Sequence, residues 1–270
     1  MKQRVMITGA TDGIGRATAL ALAGSGVDLI LHGRNAARLE VLQEELQGMV
    51  AGIAVATVLA DLSSLAQVRR LADEVLERFP GLDVLINNAG VFKLDQTTSP
   101  DGLDMRFAVN SVAPYLLTTA LRPLFAAGGR VVNVASAAQA AVDLEALAGR
   151  AIVADYFQAY AQSKLALIMW TRHLARLDTE VTYLAVNPGS LLASKMVKEG
   201  FGVAGADLGI GASILLGAAL GEEFAGHSGD YFDNDERRFA DPHPAALDAA
   251  ACAELLKVLD TIVASQRHSE

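Results

Sequence analysis

The chain has 270 residues, 52% of them hydrophobic and 6% aromatic, and 22 Lys and Arg against 31 Asp and Glu give a net charge of −9. This length fits one large α/β domain or two small ones, and the acidic balance argues against nucleic acid as a partner, because binding phosphates requires a basic surface. The one cysteine, Cys252, excludes an internal disulfide and a cysteine-based metal site, and we predict no metal.

The amino-terminal residues run directly into an apolar, strand-like stretch. This start leaves no room for a cleavable signal peptide. The longest apolar runs are also much shorter than the roughly 20 residues that cross a membrane as a helix. We therefore expect a cytoplasmic protein with no membrane span.

Short β-branched segments alternate with amphipathic ones along the whole chain. Strands are predicted at residues 4–8, 27–32, 53–59, 83–86, 130–134, 181–186 and 230–232, and helices at 14–23, 36–47, 65–79, 102–126, 156–177, 206–220 and 245–264. Such alternation indicates βαβ units, hence a mostly parallel sheet with helices on both faces. We predict a single doubly wound α/β domain over residues 1–270, with about seven strands.

A glycine-rich segment lies between the first strand and the first helix. Its glycines are Gly9, Gly13 and Gly15, a spacing that permits a tight turn and close approach of the backbone to a pyrophosphate at the helix N-terminus. An ordinary glycine turn is the alternative, but the strand–turn–helix context argues against it. The residues expected to contact a dinucleotide are Gly9, Thr11, Asp12, Gly13, Ile14 and Gly15.

Arg34 follows the second strand, where NAD-binding proteins usually carry an acidic residue for the ribose 2′-hydroxyl. An arginine at this place suits a 2′-phosphate, and Arg38 lies one helical turn further on. We therefore favour NADP(H) over NAD(H). Arg34 as a plain solvated cation is the alternative, and the negative charge of Asp12 weighs against a phosphate.

Two further segments are expected at the carboxyl ends of strands, where doubly wound sheets bind ligands. Asp61 and Leu62 follow the third strand, at the place for an adenine. Asn88, Ala89 and Gly90 follow the fourth strand. Each segment could also form a simple turn.

Tyr160 and Lys164 are four residues apart and share one face of a predicted helix. A nearby ammonium favours the phenolate form, so this pair is suited to proton transfer near neutral pH. Tyrosine and lysine fall at this spacing by chance in many helices. Ser136, at the end of the preceding strand, supplies a second hydroxyl.

Together these segments resemble the short-chain dehydrogenase/reductase family. The match runs from about residue 5 to 189 and includes TGATDGIG, the Asp61 turn, NNAG, Asn110, Ser136, Tyr160–Lys164 and Asn187-Pro188-Gly189. The resemblance implies a single Rossmann-type NAD(P)-binding domain. It also implies that Ser136 binds the substrate oxygen and Tyr160 transfers the proton. Lys164 lowers the tyrosine pKa and binds the nicotinamide ribose, Asn110 supports a water relay, and Pro188-Gly189 contacts the cofactor.

Two departures from the commonest pattern stand out. Ser136 and Tyr160 are separated by 24 positions, which is similar to the retinol-dehydrogenase-like and protochlorophyllide-reductase-like branch, where an insertion precedes the tyrosine. The insertion, residues 137–155, is expected to border the substrate entrance. The threonine that usually follows Pro188-Gly189 is absent, and Ser194 is a substitute one position late.

A substrate lid is predicted over about residues 190–225. Its segment 191–205 is rich in glycine and small residues, and an apolar pocket wall is expected from Leu191, Leu192, Met196, Val197 and Phe201. A helix packed on the core is the alternative. Few charges are present to hold an anion, so the expected substrate is neutral and rather apolar.

The sequence therefore predicts an NADP(H)-dependent oxidoreductase that transfers hydride between nicotinamide and a carbonyl or alcohol. A non-catalytic NADPH-binding sensor or scaffold is one alternative, since this fold can bind cofactor without chemistry. Sugar-nucleotide epimerase or dehydratase chemistry is another, because it shares the Tyr/Lys pair. A homodimer or homotetramer paired through the helices of Asn110 and Tyr160 is compatible with the apolar run at residues 165–170.

Overall fold

Strands and helices alternate in the computed structural model, which describes residues 2–190, 192 and 205–265. The strands are β1 Arg4–Ile7, β2 Asp28–Gly33, β3 Val55–Leu59, β4 Val84–Asn87, β5 Arg130–Val134, β6 Thr182–Asn187, β7 Tyr231–Asp233 and β8 Arg238–Ala240. The helices are α1 Gly13–Gly24, α2 Ala36–Met49, α3 Leu65–Arg78, α4 Met105–Phe107, α5 Ala113–Leu121, α6 Leu144–Leu147, α7 Tyr156–Leu177, α8 Leu208–Leu220, α9 Pro244–Leu247 and α10 Ala249–Ser265.

The eight strands within the described residues form one sheet in the order β3-β2-β1-β4-β5-β6-β7-β8. Strands β1 to β7 pair in parallel, which confirms the doubly wound α/β fold. The eighth strand was not predicted. β8 is as short as β7, pairs antiparallel to it and has no buried residue, so it lacks the buried apolar run by which the other strands are recognised.

The predicted helix over 102–126 also differs from the structure. It begins at Met105, contains a π-helical turn at Ala108–Val112, and ends its α-helical part at Leu121. A π turn holds one extra residue, which hydrophobic periodicity alone does not reveal. The predicted last helix is divided into α9 and α10 at Asp248, whose side chain accepts hydrogen bonds from the Ala250 and Ala251 amides.

Both faces of the sheet are buried under helices. Alternate residues of β1 point to opposite sides, so that Met6 joins one apolar cluster while Val5 and Ile7 join the other. This arrangement is expected of parallel strands covered on both faces, and it explains the continuous apolar runs in the sequence.

Helix α7 is buried on most of its circumference, and the run at residues 165–170 is buried throughout. Helix α10 packs on α7 within the same chain, and Cys252 of α10 is fully buried there. The predicted pairing of subunits through α7 stays a prediction, and much of this helix is already covered. Among the described residues, no helix is both long and apolar enough to cross a membrane.

Candidate active site

The predicted site residues lie along one edge of the sheet, where the parallel strands end. The glycine-rich loop follows β1, Asn88–Gly90 follows β4, Ser136 follows β5, and Pro188-Gly189 follows β6. Because β1 and β4 are neighbours while their connections run to opposite sides, a crevice opens at this point of the sheet. The geometry therefore gathers residues that are far apart in sequence.

The glycine-rich loop is shaped by two left-handed residues, Gly9 at φ +67° and Gly13 at φ +52°. Asp12 ends the loop and caps α1, since its carboxylate accepts a hydrogen bond from the Gly13 amide at 2.8 Å. A Cβ added at Gly15 would overlap the Gly9 carbonyl oxygen and the Asn88 side-chain amide. The cradle lies at a helix N-terminus, where backbone amides and the helix dipole favour an anion, so these residues fit the pyrophosphate of a dinucleotide.

Substituting Gly15 with alanine should weaken cofactor binding strongly. The added methyl would push the loop away from Asn88, and overpacking of this kind typically costs about 1–3 kcal/mol. We expect the dissociation constant for the cofactor to rise roughly tenfold to hundredfold, as measured by calorimetry. Gly24→Ala, also in α1, is the matched control because its Cβ would meet nothing within 4 Å. If Gly15→Ala and Gly24→Ala bound the cofactor with equal affinity, the proposed role of this cradle in cofactor binding would be refuted.

Thr8 joins the ends of β1 and β4. Its hydroxyl accepts hydrogen bonds from the amides of Asn88 at 3.0 Å and Ala89 at 3.1 Å. The Asn88 side chain in turn donates to the carbonyls of Thr8 and Gly9. The predicted cofactor segments are thus held as one unit, and Thr8 is a positioning residue that sequence reasoning did not single out.

His32 holds the other side of the loop and was also missed. It is 3% exposed, and its Nδ1 accepts a hydrogen bond from the Gly9 amide at 3.3 Å. Its proton therefore lies on Nε2, which donates to the Ala60 carbonyl at 3.1 Å. Burial lowers the pKa of His32 to about 4, so the ring stays neutral and keeps this acceptor available. A polar residue among the apolar ones of β2 was the available signal.

The buried, neutral His32 should make the stability of the protein depend on pH. Its pKa is about 4 when folded against an ordinary value of 6.5, so between these values the unfolded chain binds more protons. The contribution of neutral His32 to the free energy of unfolding is complete above pH 6.5. This contribution is lost as the pH falls towards 4, and the total loss is about 3 kcal/mol. Urea unfolding should show that the free energy of unfolding falls less between pH 7 and pH 4.5 in His32→Gln than in the native protein. Equal falls in the two proteins would refute the role of His32 in the pH dependence.

Ser136, Tyr160 and Lys164 lie together at the ends of β5 and α7. The Ser136 hydroxyl accepts a hydrogen bond from the Ala138 amide at 3.1 Å and lies close enough to Tyr160 to affect its pKa. The Lys164 ammonium lies 5.8 Å from the centroid of the Tyr160 ring. Lys164 Nζ donates to the Val134 carbonyl at 2.6 Å. A Cβ added at Gly90 would lie 3.6 Å from the same Nζ, so the β4 loop closes over this group.

Burial governs the protonation of this cluster. It raises the pKa of Tyr160, and the nearby Ser136 hydroxyl lowers that pKa by a smaller amount. Burial also lowers the pKa of Lys164 to about 8. In this arrangement the tyrosine is therefore a neutral phenol at neutral pH, and the lowering of its pKa by Lys164 stays a prediction.

Asn110 lies in the π-helical turn and is 1% exposed. Its side chain exchanges two hydrogen bonds with the Val91 backbone, at 2.8 and 2.9 Å, and donates to Ser163 Oγ at 3.0 Å. Ser163 then donates to the Tyr160 carbonyl at 2.7 Å. Asn110 thereby ties the β4 loop to α7, which fixes the backbone that carries Tyr160.

A sequence model described as short chain dehydrogenase matches residues 3–201 of this chain. The chain belongs to the short-chain dehydrogenase family. This conclusion agrees with the order of motifs along the sequence and with the crevice that they form.

Two curated relatives match this short-chain dehydrogenase over most of their length. A Streptomyces protein (strain C5), to which daunorubicin C-13 ketoreductase activity is attributed, is 34% identical over 93% of this chain and 89% of its own. Human retinol dehydrogenase 13 is 32% identical over 93% of this chain and 81% of its own. The similarity to retinol dehydrogenases confirms the predicted branch of the family.

Solved structures share the fold. A short chain dehydrogenase from Burkholderia cenocepacia J2315 in complex with NADP is 28% identical with a TM-score of 0.69, over 86% of this chain and 95% of the other. The landomycin C-6 ketoreductase LanV, with bound NADP and rabelomycin, is 28% identical with a TM-score of 0.67, over 86% and 94%.

A second polar network supports the crevice of this short-chain dehydrogenase from β7. The Tyr231 hydroxyl donates to the Ser136 carbonyl at 3.2 Å and to Asp233 at 3.3 Å. Asp233 also accepts from Asn187 at 2.9 Å. Burial and the Asp233 carboxylate raise the pKa of Tyr231, so it remains a donor. The network fixes the ends of β5, β6 and β7 against each other.

Pro188 and Gly189 lie at the end of β6, as predicted. Pro188 is buried and its carbonyl accepts from the Asn234 side chain at 2.9 Å. Gly189 has φ +124°, which favours glycine. The predicted contact of Ser194 lies outside the described residues.

The predicted lid is only partly described. Leu192 is buried and bridges to Ala206, whereas Leu191, Met196, Val197 and Phe201 lie outside the described residues. Residues 208–220 form α8, which packs against α1 and reaches Ile14 of the glycine loop through Gly211. The lid over 190–225 stays a prediction, and this later part of it is a packed helix.

Arg34, Arg38, Asp61 and Leu62 lie at the β2 and β3 ends, away from Tyr160. Arg34 is exposed, and Arg38 Nη1 lies 3.6 Å from Asp12 Oδ2. Asp61 accepts from the Ser63 amide at 2.9 Å, as in the simple turn considered above. The side chain of Leu62 is buried in the core, which leaves its backbone for any contact with a cofactor.

Proposed function

We propose that this protein is an NADP(H)-dependent oxidoreductase that transfers hydride between the nicotinamide and a carbonyl or alcohol, with Tyr160 as the acid or base. The observation that carries the proposal is the placement of the Ser136 and Tyr160 hydroxyl groups beside the buried Lys164, next to a glycine cradle suited to a dinucleotide. The names of the relatives, which are dehydrogenases and ketoreductases, support the same reaction type.

In this proposal the residues act on the substrate oxygen. When bound, the reduced nicotinamide supplies the hydride to the carbonyl carbon. Negative charge then develops on the oxygen, which the Ser136 hydroxyl holds in place, and Tyr160 donates its phenolic proton to that oxygen. The Lys164 ammonium favours the phenolate that is left behind.

The protonation state supports reduction as the working direction. The raised pKa of Tyr160 keeps the phenol protonated at neutral pH, which is the form that donates a proton to a developing alkoxide. Oxidation of an alcohol requires the opposite form, so it should be favoured only as the pH rises.

The end of β2 supports NADP(H) as the cofactor. Gly33, the last residue of β2, has no side chain, and a Cβ there would lie 3.0 Å from the Thr11 methyl group. An acid that holds the ribose 2′-hydroxyl therefore has no room at this position. Arg34 follows Gly33 in the chain. Because Arg38 pairs with Asp12, Arg34 is the better partner of the two arginines for a 2′-phosphate.

Substituting Arg34 with alanine should weaken NADPH binding more than NADH binding. Hydrogen bonds to charged groups contribute about 1.5–3 kcal/mol, so the dissociation constant for NADPH should rise about tenfold to hundredfold. That for NADH should change little. Arg38→Ala is the control, with a smaller expected effect because Arg38 pairs with Asp12. An unchanged NADPH/NADH ratio in Arg34→Ala would remove the basis of the NADP assignment.

Titration with NADPH and NADH, followed by a panel of neutral ketones, aldehydes and alcohols, tests the function as a whole. We expect tighter binding of NADPH and turnover of rather apolar carbonyl compounds. Tight binding of NADPH with no turnover across the panel would favour the sensor or scaffold instead, and activity only on sugar nucleotides would favour the epimerase or dehydratase. The cytoplasmic location and the oligomeric state stay predictions.

A further inference from the structure

Aromatic side chains surround Tyr160 at the N-terminal end of α7. The Phe92 ring meets the Tyr160 ring edge-to-face, with centroids 4.9 Å apart. Tyr156 and Phe157 pack edge-to-face on Phe92, at 5.3 and 6.2 Å. Residues three and four apart share a helix face, so Tyr156 and Phe157 lie on the side of α7 that carries Tyr160. We call Phe92, Tyr156 and Phe157 the aromatic rim.

The inner member of the rim is held firmly. Phe92 is 4% exposed, and it follows Val91, whose backbone exchanges two hydrogen bonds with Asn110. The same asparagine ties the β4 loop to α7 through Ser163. The position of the Phe92 ring relative to Tyr160 is therefore fixed by the residues that shape the proposed catalytic centre.

The outer members of the rim face water. Tyr156 and Phe157 are 42% and 40% exposed, and the Lys93 ammonium lies 5.7 Å from the Tyr156 ring centroid. Contiguous exposed apolar surface is a common feature of ligand-binding grooves. These two rings border the Tyr160 ring through Phe92, which makes the surface continuous with the proposed site.

The insertion at residues 137–155 adjoins the same end of α7. The Asp143 amide donates to the Gln162 side chain at 3.0 Å, and Asp155 caps α7 by accepting from the Gln158 amide at 2.8 Å. Ile152, four residues before Tyr156, is 92% exposed. The insertion therefore brings further apolar surface to the chain segment that enters the rim.

We infer that the aromatic rim binds the ring system of the substrate, and that the preferred substrates are planar aryl ketones or the corresponding alcohols. The inference rests on the proposed function, whose reacting group it places beside Tyr160. A flat aromatic ring gains edge-to-face or offset-stacked contacts with Tyr156 and Phe157 in addition to apolar burial, whereas an aliphatic chain gains burial alone. Few charged groups are needed for such a ligand, in agreement with a neutral substrate.

Two ketones with the same number of carbon atoms, 2-acetylnaphthalene and 2-dodecanone, test the inference. The double variant Tyr156→Leu with Phe157→Leu keeps apolar bulk and removes both aromatic rings. With NADPH we expect kcat/KM for 2-acetylnaphthalene to fall about tenfold, mainly through KM, and that for 2-dodecanone to change less than about twofold. Leu177→Ala, 71% exposed at the other end of α7, is the matched control and should leave both values unchanged.

Calorimetry can measure the binding of 2-acetylnaphthalene to the protein with NADP+. This measurement needs no turnover, so it tests the inference separately from the proposed function. Binding weakened about tenfold in the double variant supports the rim even if neither ketone is reduced, an outcome that would count against the function alone. Turnover of 2-dodecanone with no preference for the aryl ketone, or equal losses for both ketones, would overturn the inference and leave the function standing. Absence of both binding and turnover would overturn both.

Discussion

Tyr160→Phe should abolish turnover while leaving cofactor binding nearly intact. The substitution removes only the hydroxyl, and the ring can keep its edge-to-face contact with Phe92. Loss of a positioned acid or base typically costs about a hundredfold to ten-thousandfold in rate, and we expect a fall in kcat of about a thousandfold or more. Single-turnover kinetics with NADPH and an accepted ketone would measure it.

A matched control for Tyr160→Phe is Tyr115→Phe. Tyr115 donates to Asp260 at 2.6 Å and lies on α5, so its hydroxyl has no place in the proposed proton transfer. The control should lose some stability and keep its turnover. Full activity in Tyr160→Phe would refute the proposed acid, and an unfolded Tyr160→Phe protein would contradict the retained ring contact.

Lys164→Met should reduce kcat by about a hundredfold or more. The variant loses the hydrogen bond to the Val134 carbonyl and the positive charge near the Tyr160 ring. Removing a preorganised charge or donor that stabilises the transition state costs about a hundredfold to a thousandfold in mutational series. Lys164→Arg keeps the positive charge, so it should retain part of the activity that Lys164→Met loses. If Lys164→Arg were as inactive as Lys164→Met, the geometry of the lysine would matter more than its charge.

The pKa of Lys164 also predicts how the reduction rate depends on pH, and Lys164→Arg tests this prediction. The pKa of Lys164 is about 8, so its charge is complete below that value and is lost as the pH rises through it. The reduction rate of the native protein should therefore fall above about pH 8. In Lys164→Arg this fall should move to higher pH, because a guanidinium stays charged. A descending limb at the same pH in both proteins would assign it to another group.

Local patterns were enough to locate the glycine-rich loop and the residues proposed as the catalytic set. The glycines sit on either side of a strand–helix junction, and the Tyr160–Lys164 pair needs only helical spacing. The structure brings these residues together because the ends of parallel strands share one edge of the sheet. The prediction failed at β8, whose three residues are all at least partly exposed and so carry no buried apolar pattern.

The contacts that hold the site in place could not be predicted in this way. Tyr231 bonds to Ser136 across 95 residues of sequence, and Asn88 bonds to Thr8 across 80. Such pairs depend on strand order, which no local window contains. His32 was visible only as a polar residue in an apolar strand, and its role depends on which loop lies beside it.

Because of the π-helical turn, the position of Asn110 depends on the number of residues in this segment as much as on their identity. Each residue of an α-helix advances the chain by about 100° around the axis. Removing one of the five residues of Ala108–Val112 would restore an ordinary α-helix and preserve nearly all of its apolar side chains. It would also swing Asn110 by about that angle relative to the following turns, away from Val91 or Ser163. Descendants of this chain should therefore tolerate apolar exchanges in this segment far better than a single codon deletion.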